Sequence, residues 1–193
     1  MFAQICNVSL ILLLLINNPV GYAFASDQSV AKSNISSIKS LSDKDYSLMI
    51  KGEVFSLGDK WTEAKKNKAG NELSNNYVGE VEINSTSYRF YQHDYDGYVI
   101  YSSNIYYDKE KRDIDEYIVS QISLKSRSML TTYRGVKIGD PLSLLIKKYG
   151  PGQEDNSEGE KWIDYQSGNK ILSFQIEADK IINIMMAIST GER

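Results

Sequence analysis

His93 is the only histidine of the chain, so any catalytic use of an imidazole depends on it. A hydrolase with a Ser-His-Asp triad would need this residue as the general base that takes the serine proton. His93 directly precedes Asp94-Tyr95-Asp96-Gly97, whose composition predicts the tip of a β-hairpin. The chain contains no G-x-S-x-G sequence, the signature of a nucleophile elbow. We therefore expect a solvated turn histidine and predict no catalytic residue.

Two acidic stretches could attract a cation. Asp94-Tyr95-Asp96-Gly97 begins like a calcium loop, but its glycine stands at position 4 instead of 6, and Ile105 replaces the closing Glu at position 12. The second stretch runs from Glu154 to Glu160 and is expected to be a solvated loop. A single histidine without thiolates also makes a zinc site unfavourable. We predict no metal and no cofactor.

Tyrosines give the clearest indication of function. Nine of the 14 lie between Tyr77 and Tyr117, and on the predicted strands they fall on both faces, which is more than one core face requires. Tyrosine is frequent in recognition surfaces because it offers a large rigid contact with a polar tip. The alternative is that the tyrosines pair across strands and stabilise a sheet. The candidate binding surface consists of Tyr88, Tyr91, Tyr95, Tyr98, Tyr101, Tyr106 and Tyr107.

The second half of the chain predicts one helix followed by three strands. Asp140 is a suitable N-cap, and Pro141 fits the first helical position. The helix then carries an apolar face at i, i+3, i+4 and i+7 and stops at Gly150-Pro151. Strands are predicted over 161–165, 171–176 and 181–188, joined by short turns into an antiparallel meander.

The first half follows a similar order of elements, with Leu57-Gly58-Asp59 in the place of Ile138-Gly139-Asp140. A short helix is possible from Ser42 to Ile50, and strands are predicted over 88–92, 98–107 and 117–125. The expected fold class is therefore α+β, with two related halves that each place a helix before a small antiparallel sheet. The domain would span 44–193, with half-repeats of about 50–125 and 134–190.

One segment of the second half resembles a known family. Arg134-Gly135-Val136-Lys137-Ile138-Gly139-Asp140, the helix, Tyr149-Gly150-Pro151 and the later Ala178-Asp179-Lys180 are similar to the tandem repeats of β-lactamase-inhibitor-protein-like (BLIP-like) domains. The SmpA/OmlA outer-membrane lipoproteins have a similar half-unit. The resemblance implies an exported bacterial protein with helix-plus-sheet repeats. It implies neither β-lactamase inhibition nor outer-membrane assembly, because the cysteines of those proteins have no counterpart here.

The first 25 residues predict export. They carry no charged side chain, run through an apolar block from Val8 to Ile16, and end in Ala23-Phe24-Ala25, so a signal peptidase would cut before Ser26. We expect a flexible spacer over 26–43 and a secreted or extracytoplasmic domain, tethered at the membrane only if the leader is retained. Cys6 is the only cysteine, so the exported part has no disulfide and no lipid anchor.

The charge balance limits the partners. A formal net charge of −3 with both signs interspersed gives no basic patch for nucleic acid. The sequence therefore favours a non-catalytic exported module that binds an extracytoplasmic protein or a cell-wall component. The alternatives are a small hydrolase built on paired carboxylates and an inhibitor of a secreted enzyme.

Overall fold

The computed structural model describes residues 39–106, 113–156 and 159–189. The predicted signal peptide and most of the predicted spacer lie outside these residues. Strands account for 50% and helices for 13% of the described structure. The fold is mostly β, and the prediction of an α+β protein with two helix-plus-sheet halves is wrong.

The described elements begin with a 3₁₀ turn and include two short α-helices. In chain order they are the 3₁₀ turn Asp43–Tyr46, β1 Ser47–Ile50, β2 Glu53–Ser56, α1 Glu63–Ala69, β3 Ser74–Ile83, β4 Thr86–Tyr95, β5 Tyr98–Ser103, β6 Ile118–Leu124, α2 Leu142–Tyr149, β7 Gln153–Asp155, β8 Lys161–Ser167, β9 Lys170–Glu177 and β10 Lys180–Ile188.

Eight of these strands form one continuous antiparallel sheet in the order β3-β4-β5-β6-β10-β9-β8-β7, while β1 and β2 form a separate hairpin. Strands β6 and β10 join the two parts of the sheet, with Ile184 opposite Leu124 and Met186 opposite Ile122. Both strands carry apolar side chains at alternate positions, so pairing them extends a single buried face. This pairing is why two separate small sheets do not form.

The main core lies on one face of this sheet. Ile100, Ile122, Met186, Leu172 and Tyr165 are directly opposite one another across β5, β6, β10, β9 and β8, and all are buried. The β1–β2 hairpin, Trp61 and both helices cover this face, since their buried side chains belong to the same apolar cluster. Burying this surface supplies most of the stabilisation available to a chain without disulfides.

Helix α2 confirms the prediction of a helix that ends at Gly150. It starts one residue later than expected, because Pro141 takes the N-cap position and the Asp140 carboxylate accepts from the Lys137 N–H at 2.9 Å. Gly150 adopts φ 83°, where a side chain would be strained. Of the apolar face, Leu145 and Tyr149 are buried, whereas Ile146 is 39% exposed.

The start of the domain differs from the predicted helix. Residues Asp43–Tyr46 make a single 3₁₀ turn, and the chain then enters β1. Arg134 holds this turn, because its Nε and Nη2 donate to the two Asp45 carboxylate oxygens at 2.6 and 2.9 Å. Asp45 is only 1% exposed, and its contacts with Arg134 and Ser42 lower its pKa although burial opposes this. The ion pair ties the start of the domain to the end of α2.

None of the helices in the described ranges is both long and apolar enough to span a bilayer.

Candidate binding site

Three of the predicted surface tyrosines are core residues. Tyr95, Tyr98 and Tyr101 are 2%, 6% and 2% exposed. The rings of Tyr95 and Tyr98 stack with centroids 4.9 Å apart, and the Tyr98 hydroxyl donates to the Ala69 carbonyl. Burial raises the pKa of Tyr98 and of Tyr101 to about 12. These positions correct the expected surface, because three enclosed side chains stabilise the sheet and offer nothing to a partner.

Tyr88 and Tyr106 lie at a second, smaller apolar cluster. Tyr88 is buried beside Phe90 and Ile105, and its ring lies 5.9 Å from that of Tyr106. Tyr106 is 42% exposed, borders a cleft of about 440 Å³, and donates to the Ser189 carbonyl at 3.2 Å. Tyr107 lies outside the described residues. The described residues that line this cleft include Lys60, Lys170 and Asn169 and no carboxylate.

Tyr91, like Tyr106, remains partly accessible. Its ring lies 5.2 Å from Tyr77 on β3 and 5.4 Å from Tyr117, which precedes β6. Tyr77 is 53% exposed, while Tyr91 and Tyr117 are half-buried. We call Tyr77, Tyr91 and Tyr117 the tyrosine patch. The three rings are tilted or edge-on to one another, the geometry that aromatic pairs prefer.

Charged side chains border the tyrosine patch. Arg89 reaches Asp115 at 3.3 Å and Glu80 at 3.9 Å, and all three side chains are at least a third exposed. Desolvation raises the pKa of the Tyr117 hydroxyl, although nearby Arg89 partly offsets the shift. The patch therefore lies inside a rim that carries both charges.

Sequence reasoning missed Tyr77 and Tyr117 as members of this site. Tyr77 lies on β3, a strand that was not predicted, and Tyr117 stands just before the observed start of β6. Tyrosine spacing alone does not indicate that they meet. The pairing of Tyr77 with Tyr91 in the β3–β4 register brings the two rings together.

His93 follows Tyr91 by two residues on β4, so it lies beside the patch on the same face of the sheet, and it makes a chain of hydrogen bonds. It belongs to β4, is 2% exposed, and so is not the solvated turn residue that the sequence predicts. Its Nδ1 is 2.6 Å from Glu72 Oε1, and its Nε2 is 2.9 Å from Ser102 Oγ. Burial lowers the His93 pKa, and the Glu72 contact offsets this only in part. A neutral ring then donates to Glu72 and accepts from Ser102.

This order of groups matches a Ser-His-acid triad, but their exposure is reversed. Ser102 is 2% exposed, whereas the Glu72 side chain, which would be the innermost group of a triad, is 32% exposed. Trp61 lies over the imidazole with ring centroids 4.8 Å apart, and it is itself 8% exposed. A substrate would meet the carboxylate before the hydroxyl, so this geometry suits a buried support beside the patch better than nucleophilic attack.

Asp94 is fully engaged within the protein. Its Oδ1 pairs with Lys125 at 2.7 Å, and its Oδ2 accepts from Ser74 and Gln92. These bonds lower the Asp94 pKa although burial opposes the shift.

Within the described ranges, no three His, Cys, Asp or Glu side chains converge as a metal site would require. In the second acidic stretch, Glu154 pairs with Lys161 at 3.2 Å.

No family model, curated protein or solved structure matches the chain. The resemblance to BLIP-like domains therefore stays a prediction, and a function has to be argued from the geometry of this site.

Proposed function

We propose that this protein is a non-catalytic, exported binding module that holds an extracytoplasmic protein or a cell-wall component at the tyrosine patch. The observation that carries the proposal is the contact of Tyr77, Tyr91 and Tyr117 at the surface, next to the exposed charges of Arg89, Glu80 and Asp115.

The support for a binding role is physical. An exposed tyrosine loses little side-chain entropy on contact and buries a large apolar area, so it is a frequent anchor of interfaces. Tyr77 leaves 53% of its surface to solvent although it contacts Tyr91. A rim of both charges adds orientation to such a contact more than affinity.

The buried hydrogen bonds beside the patch support the same role. Tyr91 lies opposite Ser102 in the β4–β5 register, and the backbone N–H of Trp61 donates to the Tyr117 carbonyl at 2.8 Å. His93 therefore connects to strands that carry the patch tyrosines. Rigid support of this kind lowers the cost of ordering side chains when a ligand binds.

The test compares retention by the wild-type protein and by the double variant Tyr77→Ala/Tyr117→Ala. Purified cell-wall polymer is the first probe, and extracted envelope proteins are the second. We expect at least a tenfold loss of retention on one of them, since each anchor tyrosine typically contributes about 1–2 kcal/mol.

Tyr133→Ala is the matched control. Tyr133 is 58% exposed and lies near Lys44, away from the patch. Its removal should leave retention unchanged. Equal retention of the wild type and the double variant on both probes would contradict the proposal.

A further inference from the structure

We infer that the outer edge of β3 adds a strand from a partner protein, and that this partner segment is extended and basic. The inference rests on the proposed function and names the class of partner. Within the described part of the chain, β3 is the first strand of the sheet and pairs only with β4. The backbone groups on its other side are therefore available to a further strand.

The direction of the backbone groups follows from Arg89 on β4. Its N–H donates to Asn104 Oδ1 at 2.7 Å, and its carbonyl accepts from the Asn104 N–H at 3.4 Å. Arg89 thus directs both groups toward β5. Glu80 is its partner on β3, so Glu80 directs its own N–H and carbonyl away from β4.

Alternation along the strand extends this assignment. Glu82 lies two residues further, opposite Ser87, and it also faces outward. Val81, opposite Tyr88, bonds to β4. A bulge between Tyr77 and Gly79 separates this run from the start of β3. The docking edge is therefore the run from Gly79 to Ile83, directly next to the tyrosine patch.

The charge of this edge selects the occupant. Strand β3 carries Glu80 and Glu82 and no lysine or arginine. Opposite charges directly across two strands stabilise their pairing, so Glu80 and Glu82 favour a basic segment. A second copy of the chain is disfavoured, because antiparallel pairing about Val81 would place Glu80 of one copy opposite Glu82 of the other.

The opposite edge of the sheet is less suited to binding a strand. Its edge strand β7 has three residues, which is too short to template a partner strand. Strand β3 has ten.

Hydrogen exchange of backbone amides tests this edge directly. The probe is a ten-residue peptide of alternating lysine and valine, and its counterpart has glutamate in place of lysine. With the basic peptide, exchange at the Glu80 and Glu82 amides should slow about tenfold or more, because their N–H groups become bonded. The Val81 amide already bonds to β4 and serves as the internal control.

Two substitutions test the edge: the first removes a backbone N–H together with a carboxylate, and the second changes the charge alone. Glu82→Pro removes an outward N–H that has no role in pairing with β4, and it should weaken the basic peptide about tenfold or more. Glu82→Lys keeps the N–H and should reverse the preference in favour of the acidic peptide. The second variant keeps the test decisive if the first fails to fold.

Three results would overturn the inference. They are unchanged exchange at Glu80 and Glu82, equal protection by the acidic peptide, and protection that grows with protein concentration alone, which would mean pairing between copies. If the tyrosine variants still lose retention while the edge amides stay unprotected, the edge is wrong and the proposed function stands. If the edge is protected but the tyrosine variants keep their ligand, the patch is wrong.

Discussion

The two ends of the eight-stranded sheet are built differently. At the β7 end, the rings of Tyr149, Tyr165 and Phe174 lie 5.2–5.9 Å from one another in a closed core, under an edge strand of three residues. At the β3 end, a ten-residue edge strand lies beside partly exposed tyrosines, and the polar side chain of His93 is buried next to them.

This difference separates stability from recognition. Closely packed aromatic rings stabilise a fold but leave no group for a partner. Buried polar groups next to exposed aromatic rings contribute less to the stability of the fold, but they leave a surface that a partner can contact. We therefore expect substitutions at the β7 end to change the free energy of unfolding, and substitutions at the β3 end to change binding.

The largest effect should come from Arg134→Met. This change leaves the Asp45 carboxylate buried without its partner, which costs about 3–5 kcal/mol when an enclosed ion pair is broken. Urea denaturation followed by circular dichroism measures the loss. Ligand retention per folded molecule should not change, because Arg134 contacts the start of the domain and α2 instead of the patch.

Lys170→Met is the control for this variant. Lys170 pairs with Asp43 at 3.0 Å, but the Asp43 side chain is 93% exposed. Solvent screens such a pair, so the loss should stay below about 1 kcal/mol. Equal losses for the two variants would contradict the difference between the buried and the exposed ion pair.

His93 predicts an intermediate effect that depends on pH. Burial holds its pKa below the usual value of 6.5, so the unfolded chain takes up the proton first as the pH falls. The stabilisation by neutral His93 is complete above about pH 6.5 and is lost as the pH falls through the lower folded pKa. The slope should be at most about 1.4 kcal/mol per pH unit. Urea titrations from pH 7.5 to pH 5 measure it.

His93→Gln is the comparison for the pH titration. Its side chain does not titrate, so the slope above pH 5 should disappear even if the variant is less stable throughout. Asp45 and Asp94 have lowered pKa values, so they make the free energy of unfolding depend on pH only below about pH 4. A slope above pH 5 that persists in His93→Gln would show that another group causes it.

Asp164 predicts the smallest effect, and its sign is opposite. This β8 residue faces away from the main core, and within the described ranges its Oδ1 has no hydrogen-bond partner. Burial raises its pKa, although the nearby Ser173 side chain opposes the shift. A raised pKa favours the protonated form, so its stabilisation is lost as the pH rises above about 3.9. Asp164→Asn should therefore stabilise the protein at pH 7 by up to about 1 kcal/mol. A lower melting temperature for this variant would contradict the expectation.

The sequence predicted the strongly patterned elements well. Helix α2 and strands β8, β9 and β10 lie within two residues of their expected bounds, because apolar periodicity and turn residues agree there. Strand β3 was missed because an edge strand needs few apolar residues, and its asparagines and glutamates read as a loop. The β6–β10 pairing that unites the sheet is a long-range contact without a local signal.

The candidate site was harder to predict than the fold. Tyr91 is partly exposed and stays a candidate, but Tyr95 and Tyr98 were assigned to the same surface although the β4–β5 register turns them into the core. His93 resembled a turn residue because β4 continues to Tyr95, further than its composition indicates. Its partner Glu72 lies 21 residues away, so no local pattern could reveal the contact.

Site-specific photocrosslinking in the native cell tests whether a partner binds at the β3 end of the sheet. A photoreactive benzoylphenylalanine is placed at Tyr77 at the β3 end and, as the comparison, at Ile146 on α2, which is 39% exposed. We expect a discrete crosslinked product at position 77 and none at position 146. A product at position 146 with none at position 77 would place recognition at the other end of the sheet and contradict binding at the tyrosine patch.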